Sequence, residues 1–151
     1  MSDTTSIVSA IVPVYDRQHL VLDALASIIA QQYRDLEIVV VDDGSTDSTA
    51  DVVRAFDPRV RCVRQAHAGV AVARNRGLAE ATGRWIAFLD SDDVWLEGML
   101  ASAVEHLRAD PRRWIVHGRT EIVRMPDAGS HRPRFREDTP PQHRPLLGSM
   151  V

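Results

Sequence analysis

The sequence predicts an α/β sandwich with a mainly parallel sheet. Three observations point to it: four short runs rich in β-branched residues, segments of helical periodicity between them, and connections of only a few residues. The first run, Ile7 to Val14, is nearly continuously apolar, as a strand covered on both faces should be. Leu22, Leu25 and Ile29 then recur at three- and four-residue spacing and mark one apolar helix face. Leu36 to Val41 is the second strand. Ser45 or Thr46 is the expected cap of the helix after it, and Asp47 suits that helix's positive end. Pro58 stops this helix. Val60 to Arg64 is a third, weaker strand expected nearer an edge, and Trp85 to Leu89 is a fourth. Leu96, Leu100, Ala103, Val104 and Leu107 define a last helix face, with Pro111 just past its end. Trp114 to His117, with Ile122 and Val123, suggests a fifth strand.

With 151 residues, 44% of them hydrophobic, the chain can bury one ordinary core. The composition changes after Met125: five of the eight prolines lie from Pro126 to Pro145, together with Arg132, Arg134, Arg136 and Arg144. The expected division is therefore a folded portion over 1–125 and a loop or tail over 126–151, whose weakly apolar end reads as the start of a further element. A net charge of −3, from 18 basic and 21 acidic residues, argues against nucleic acid as a partner. All 18 basic residues are arginine, which excludes Schiff-base chemistry and the phosphate-binding lysine of P-loop nucleotidases. Cys62 is the single cysteine, read as a small buried apolar residue that allows no internal disulfide. The start, MSDTTS, lacks the pattern of a signal peptide, and no apolar run reaches the roughly 20 residues that cross a bilayer. The expectation is a cytoplasmic protein, with peripheral attachment to the membrane's cytoplasmic face through other segments left open.

In parallel sheets of this kind ligands bind beyond the carboxyl ends of the strands. Tyr15 and Asp16 follow the first strand, Asp42 and Asp43 the second, and Asp90, Asp92 and Asp93 the fourth. Three carboxylates in the run LDSDD at 89–93 repel one another unless a cation or hydrogen-bond donors offset them. Mg²⁺ or Mn²⁺ suits such a site, because these ions take one or two protein carboxylates and complete their shell with water and phosphate oxygens. The bland alternative is a solvated acidic turn with Asp93 as a helix cap. In VVVDDGSTD at 39–47, Asp42 is placed to accept the ring N–H of a base; strand, turn and capped helix explain Gly44 to Asp47 but leave the pair Asp42 and Asp43 unaccounted for. In HAGVAVARNRGL at 67–78, Arg74 can face a diphosphate through its forked guanidinium, whereas Arg76 reads as a surface residue. Trp85 and Phe88 read as strand core and Trp95 as packing at a helix start. His19, His106, His131 and His143 lack ligand spacing, while His67 and His117 each lie near a strand end.

These motifs stand in a characteristic order: PVYD at 13–16, VDDGSTD at 41–47, AGVAVARNRGL at 68–78 and FLDSDD at 88–93. Together they resemble family 2 glycosyltransferases of the GT-A fold over roughly residues 7–124. The resemblance implies a Rossmann-like three-layer α/β/α sandwich, truncated on its C-terminal side. It also implies a nucleotide-diphospho-sugar donor, often a uridine one, and inverting transfer to an acceptor hydroxyl. By the same resemblance, Pro13, Val14, Tyr15 and Asp16 line the nucleoside, Asp42 binds the base and Arg74 lies near the donor. Asp90, Ser91 and Asp92 match the D-x-D element, in which Asp92 holds the metal and Asp90 lies near ribose and metal. Two positions depart from the usual pattern: Asp16 and His67 stand where asparagine is common.

The resemblance puts the acceptor contacts and the general base beyond the matched motifs, so the base is left unassigned, and Glu137 and Asp138 lack a matching context. The acceptor, whether saccharide, lipid or protein, is unspecified. The rival reading is a non-catalytic nucleotide-sugar-binding module, or a fragment that needs the rest of a chain or a partner. A receiver domain would want a lysine, and a dinucleotide-binding fold would want G-x-G-x-x-G where PVYDR stands.

Overall fold

The computed structural model describes residues 8–110, 112–113 and 115–117. Strand and helix alternate throughout: β1 (Val8–Val14), α1 (Val21–Ile29), β2 (Leu36–Asp42), α2 (Thr49–Phe56), β3 (Val60–Arg64), α3 (Val70–Glu80), β4 (Trp85–Phe88) and α4 (Met99–Ala109). All strand pairings are parallel and the order is β3-β2-β1-β4. The first two crossovers step outward from β1 to β3, and the third steps back across β1 to β4. The order thus reverses between β1 and β4, and such a switch point opens a crevice at the carboxyl ends of its two strands.

The period of two along the strands sorts the core into two faces. Ala10, Val12 and Val14 of β1 join Ile38 and Val40 of β2 against Val21, Ala24, Leu25 and Ile28 of α1 and Val53 of α2. Val8 meets Leu100 and Val104 of α4, with Trp85, Ala87 and Trp95 packed alongside. On the other face, Val39 and Val41 pack on Ala73 of α3. Three layers result, with α1, α2 and α4 on one side and α3 on the other. Gly77 lets α3 lie close to the sheet, since a Cβ there would overlap Ile11 Cγ2. Each fully buried aliphatic side chain of this core contributes about 1.5–3 kcal/mol by leaving water.

The fold is the one the sequence predicts, with local corrections. The buried stripe of α1 is Val21, Ala24, Leu25 and Ile28, while Leu22 and Ile29 are only partly buried; alanine counts as apolar here and shifts the stripe one residue back. Neither Ser45 nor Thr46 caps α2. The Asp47 carboxylate accepts the Thr49 amide at 2.9 Å and the Thr49 hydroxyl, while Ser45 and Thr46 turn toward the β1 loop. α4 begins at Met99, so Leu96 lies before it and is exposed. Phe88 is 43% exposed, because α3 covers β1 and β2 rather than the outer face of β4. Cys62 is half-buried. Of the expected fifth strand, Ile115, Val116 and His117 carry no regular structure and Ile122 and Val123 lie outside the described residues, as do Pro111 and 126–151.

The amino ends of the strands are closed by a polar clamp. Ser9, fully buried, donates to Glu37 Oε2 at 2.5 Å and accepts the Gly83 amide at 2.8 Å. Glu37 also accepts the Thr82 amide, and Arg61 bridges Glu37 to Glu80 at 3.1 and 2.6 Å. A side chain at Gly83 would strike the Ser9 backbone. This end is spent on holding β1, β2, β3 and the end of α3 together, which leaves the carboxyl ends for ligands.

Candidate functional site

At the end of β1, Pro13 and Val14 are buried and Tyr15 and Asp16 emerge from the sheet. Ile11 turns its carbonyl to β4, where Leu89 N donates to it at 3.1 Å, so Pro13, two residues on, has its nitrogen on that same side. β4 pairing stops at Phe88, opposite Ile11. The proline therefore sits where no sheet bond is asked of it. Asp16 adopts the left-handed backbone, φ 48°, which aspartate and asparagine tolerate better than other non-glycine residues. Its carboxylate accepts the amides of Thr46 at 2.7 Å and Asp47 at 3.3 Å, and its own amide donates to Ser45 Oγ at 3.0 Å. Asp16 thus knits the β1 and β2 loops together, and its carboxylate is engaged in that task.

At the end of β2 two adjacent carboxylates have opposite situations. Asp42 is fully buried. Its Oδ1 accepts the Ser45 amide at 3.0 Å, but Oδ2 has no hydrogen-bond partner; Arg64 Nε stands 3.3 Å away as an ion pair without hydrogen-bond geometry. A buried carboxylate oxygen without a hydrogen bond is costly, and the Arg64 ion pair is what offsets that cost here. Asp43, by contrast, is saturated: Oδ1 accepts Gln65 Nε2 at 2.7 Å and the Ala68 amide at 2.9 Å, and Oδ2 accepts the Gly69 amide at 2.8 Å and pairs with His67 Nδ1 at 3.0 Å. Burial alone would raise its pKa, but these hydrogen bonds and the His67 charge outweigh burial and hold it below the ordinary carboxylate range. Gly44, at φ 79°, makes the turn that follows them, and a Cβ there would meet the His67 backbone nitrogen at 2.8 Å. Tyr15 stacks on His67 with ring centroids 4.2 Å apart. Its phenol is raised above the usual pKa, chiefly by the neighbouring Asp16 charge.

At the end of β4, Asp90, Asp92 and Asp93 are exposed and Ser91 is buried. The Asp93 amide donates to the Asp90 carbonyl at 3.0 Å, closing a turn that gathers the carboxylates. Arg74 of α3 donates through Nη2 to Asp90 Oδ1 at 2.6 Å, while its Nε is buried without a hydrogen-bond partner. The Asp93 carboxyl is raised by burial first and then by Asp92 and Asp90. Asp93 caps no helix: α4 starts at Met99, preceded by Gly98. Among the described residues no three metal-binding side chains form a closed cage. The donor set nevertheless fits a hard divalent ion, which needs only one or two carboxylates and leaves the rest of its shell to water and phosphate. Arg76 pairs with Glu80 at 2.8 Å on the surface, as its sequence context implied.

The structure therefore brings Pro13, Val14, Tyr15, Asp16 and Asp42 to one edge, with Arg74 and Asp90 joined by contact and Ser91 and Asp92 on the same turn. It adds Arg64, and gives partners to Asp43 and His67, which the sequence placed near strand ends without a role. The signal for Asp43 was the unexplained acidic pair. For His67 the signal was its departure from asparagine.

A three-layer parallel sandwich with an acidic turn at its switch point is the architecture this chain shares with solved glycosyltransferases of the GT-A fold. The chain belongs to the glycosyl transferase family 2, whose family model matches residues 9–148. It is 42% identical over 119 residues to the UDP-Glc:alpha-D-GlcNAc-diphosphoundecaprenol beta-1,3-glucosyltransferase WfgD of Escherichia coli, covering 78% of this chain and 47% of that protein. It is 43% identical over 93 residues to the glycosyltransferase GlyA of Streptococcus pneumoniae, covering 60% of this chain and 13% of that protein. Among solved structures, the mannosyltransferase PcManGT from Pyrobaculum calidifontis in complex with GDP-Man and Mn²⁺ matches with a TM-score of 0.65 and 38% identity, over 70% of this chain and 33% of that one. TarS residues 1–349 from S. aureus, in complex with UDP-GlcNAc, match with a TM-score of 0.64 and 30% identity, over 68% and 31% of the two chains. The chain thus spans less than half the length of each of these relatives. Among the described residues no helix is long and apolar enough to cross a membrane.

Proposed function

We propose that this chain binds the donor in a metal-dependent, inverting transfer of a sugar from a nucleotide-diphospho-sugar to an acceptor hydroxyl. One observation carries the reading: the buried, unbonded Oδ2 of Asp42 at the carboxyl edge, in a fold whose relatives include a protein bound to GDP-Man and Mn²⁺ and another bound to UDP-GlcNAc. In this reading Asp42 Oδ2 accepts the ring N–H of the base, and Tyr15 and the Pro13–Val14 strand end wall the nucleoside. Asp92, with Asp90, holds Mn²⁺ or Mg²⁺, which when bound neutralises diphosphate oxygens. Arg74 turns from Asp90 toward the diphosphate, and its unpaired Nε gains a phosphate acceptor. A uridine base is the preferred reading because WfgD and TarS both carry UDP-linked sugars in their descriptions. Deprotonation of the acceptor is assigned to no described residue, and residues 126–151 are proposed to begin the acceptor side.

Calorimetry with UDP and GDP, with and without Mn²⁺, tests the assignment. Asp42→Ala should weaken nucleotide binding about tenfold or more, with or without metal, since a buried charge-assisted hydrogen bond is worth about 1.5–3 kcal/mol. Asp92→Ala should remove only the metal-dependent part. Unchanged binding in both variants would falsify the reading.

A further inference from the structure

We infer that His67 is a positioning residue: it fixes the Tyr15 ring as a wall of the base site, and is itself fixed by the buried carboxylate of Asp43. The inference rests on the nucleotide-binding reading above and names a residue which that reading does not use.

His67 Nδ1 lies 3.0 Å from the Asp43 carbonyl oxygen and 3.0 Å from its Oδ2. Both atoms are acceptors, so Nδ1 carries a hydrogen whether the imidazole is neutral or charged. The tautomer is thereby set and the ring anchored by two atoms of one residue. Asp43 is itself 3% exposed and held by Gln65, Ala68 and Gly69. The fixed imidazole then lies 4.2 Å from the Tyr15 ring at an interplanar angle of 35°. Tyr15 is 40% exposed and follows directly on the strand end that carries the nucleoside wall. A half-exposed phenol on a loop would sample several rotamers, and a ring packed against it narrows that choice before the ligand arrives. The chain of contacts runs from the β2 loop through the β3 loop to the β1 loop, so three strand ends act on one aromatic surface.

Two variants of the intact chain separate the parts of His67. His67→Asn keeps an N–H donor for Asp43 and removes the ring; His67→Phe keeps a ring and removes the donor. With metal-free UDP as the probe, H67N should lose about tenfold in affinity, the scale of one aromatic–base stacking contact, while H67F, whose ring is kept but released from Asp43, should lose a smaller share, about threefold. With carbon-13-labelled tyrosine and no nucleotide present, the ring resonances of Tyr15 should move in H67N while those of Tyr33, the other tyrosine, stay in place as the check that the fold is intact. Wild-type UDP affinity in H67N, an unmoved Tyr15 ring, or an equal loss in H67F overturns the role of His67. A wild-type chain that binds neither UDP nor GDP overturns the functional reading itself, and is recognised before any variant is compared.

Discussion

In the acidic turn, Asp93 is a carboxylate whose surroundings disfavour its charged form. Burial, Asp92 and Asp90 all raise its pKa, so its charged form costs stability above the ordinary aspartate range, and protonation relieves that cost as pH falls. Asp93→Asn should therefore raise the thermal midpoint at pH 7, and the gain over wild type should shrink on acidification, where Asp93 is already neutral; thermal unfolding at two pH values measures it. Asp43 shows the opposite arrangement one strand away, since its four partners more than offset its burial. Two acidic motifs that look alike in sequence thus differ in kind. The pattern of letters marks both as unusual, but only the supply of donor groups tells a structural carboxylate from one left for a ligand. Asp42 was legible because it ends a strand; the task of Asp43 depends on the backbone of residues 65–69, which no local pattern encodes.

Helix α1 and the turn that follows it do more than cover the sheet. Ser27 Oγ accepts the Trp95 amide at 3.0 Å, Gln31 Nε2 donates to the Leu96 carbonyl at 2.9 Å, and Gln31 Oε1 accepts the Leu100 amide at 3.0 Å. Two polar side chains thus anchor the segment that runs from the acidic turn into α4. Gln31→Ala should cost about 1–3 kcal/mol in chemical denaturation, the penalty of leaving such backbone groups without their partner, and should weaken Mn²⁺-dependent UDP binding more than metal-free binding, which calorimetry resolves. At this scale the strands were readable from their apolar runs, since β2 and β3 end within a residue of their expected ends. The helix starts were not. Leu96 fits the helical period of α4 yet precedes it: its carbonyl closes a separate turn with the Met99 amide and also accepts Gln31 Nε2, and Gly98, in the left-handed conformation at φ 74°, parts that turn from the helix.

Among the described residues of the whole molecule, the carboxylates with lowered pKa lie outside the acidic turn. Glu37 is raised by burial but lowered further by Ser9, Thr82 and Arg61, to a net fall. Asp57 is lowered to about 2, chiefly by the Arg59 side-chain hydrogen bond. A carboxylate whose folded pKa is depressed contributes stability above its unfolded pKa and loses it as pH falls through the folded one. Acid unfolding should thus set in as pH falls below the ordinary carboxylate values, 4.5 for Glu37 and 3.8 for Asp43 and Asp57, and continue toward about 2. Glu37→Gln should flatten the upper part of that profile, as thermal midpoints between pH 7 and pH 3 would show. The layered architecture was legible throughout, because parallel strands and their crossovers leave a repeating signature. The exposed face of β4 was not, since Phe88 is as apolar as any core residue and only the placement of α3 leaves it uncovered.

Pro13 gives the crevice a permanence that side chains alone do not. Lengthening β4 past Leu89 along its neighbour would meet a ring nitrogen with no hydrogen to give, so the next rung of the ladder forfeits a bond. The gap beside the first strand is therefore disfavoured from closing by the backbone itself, independently of the side chains that shape its rim.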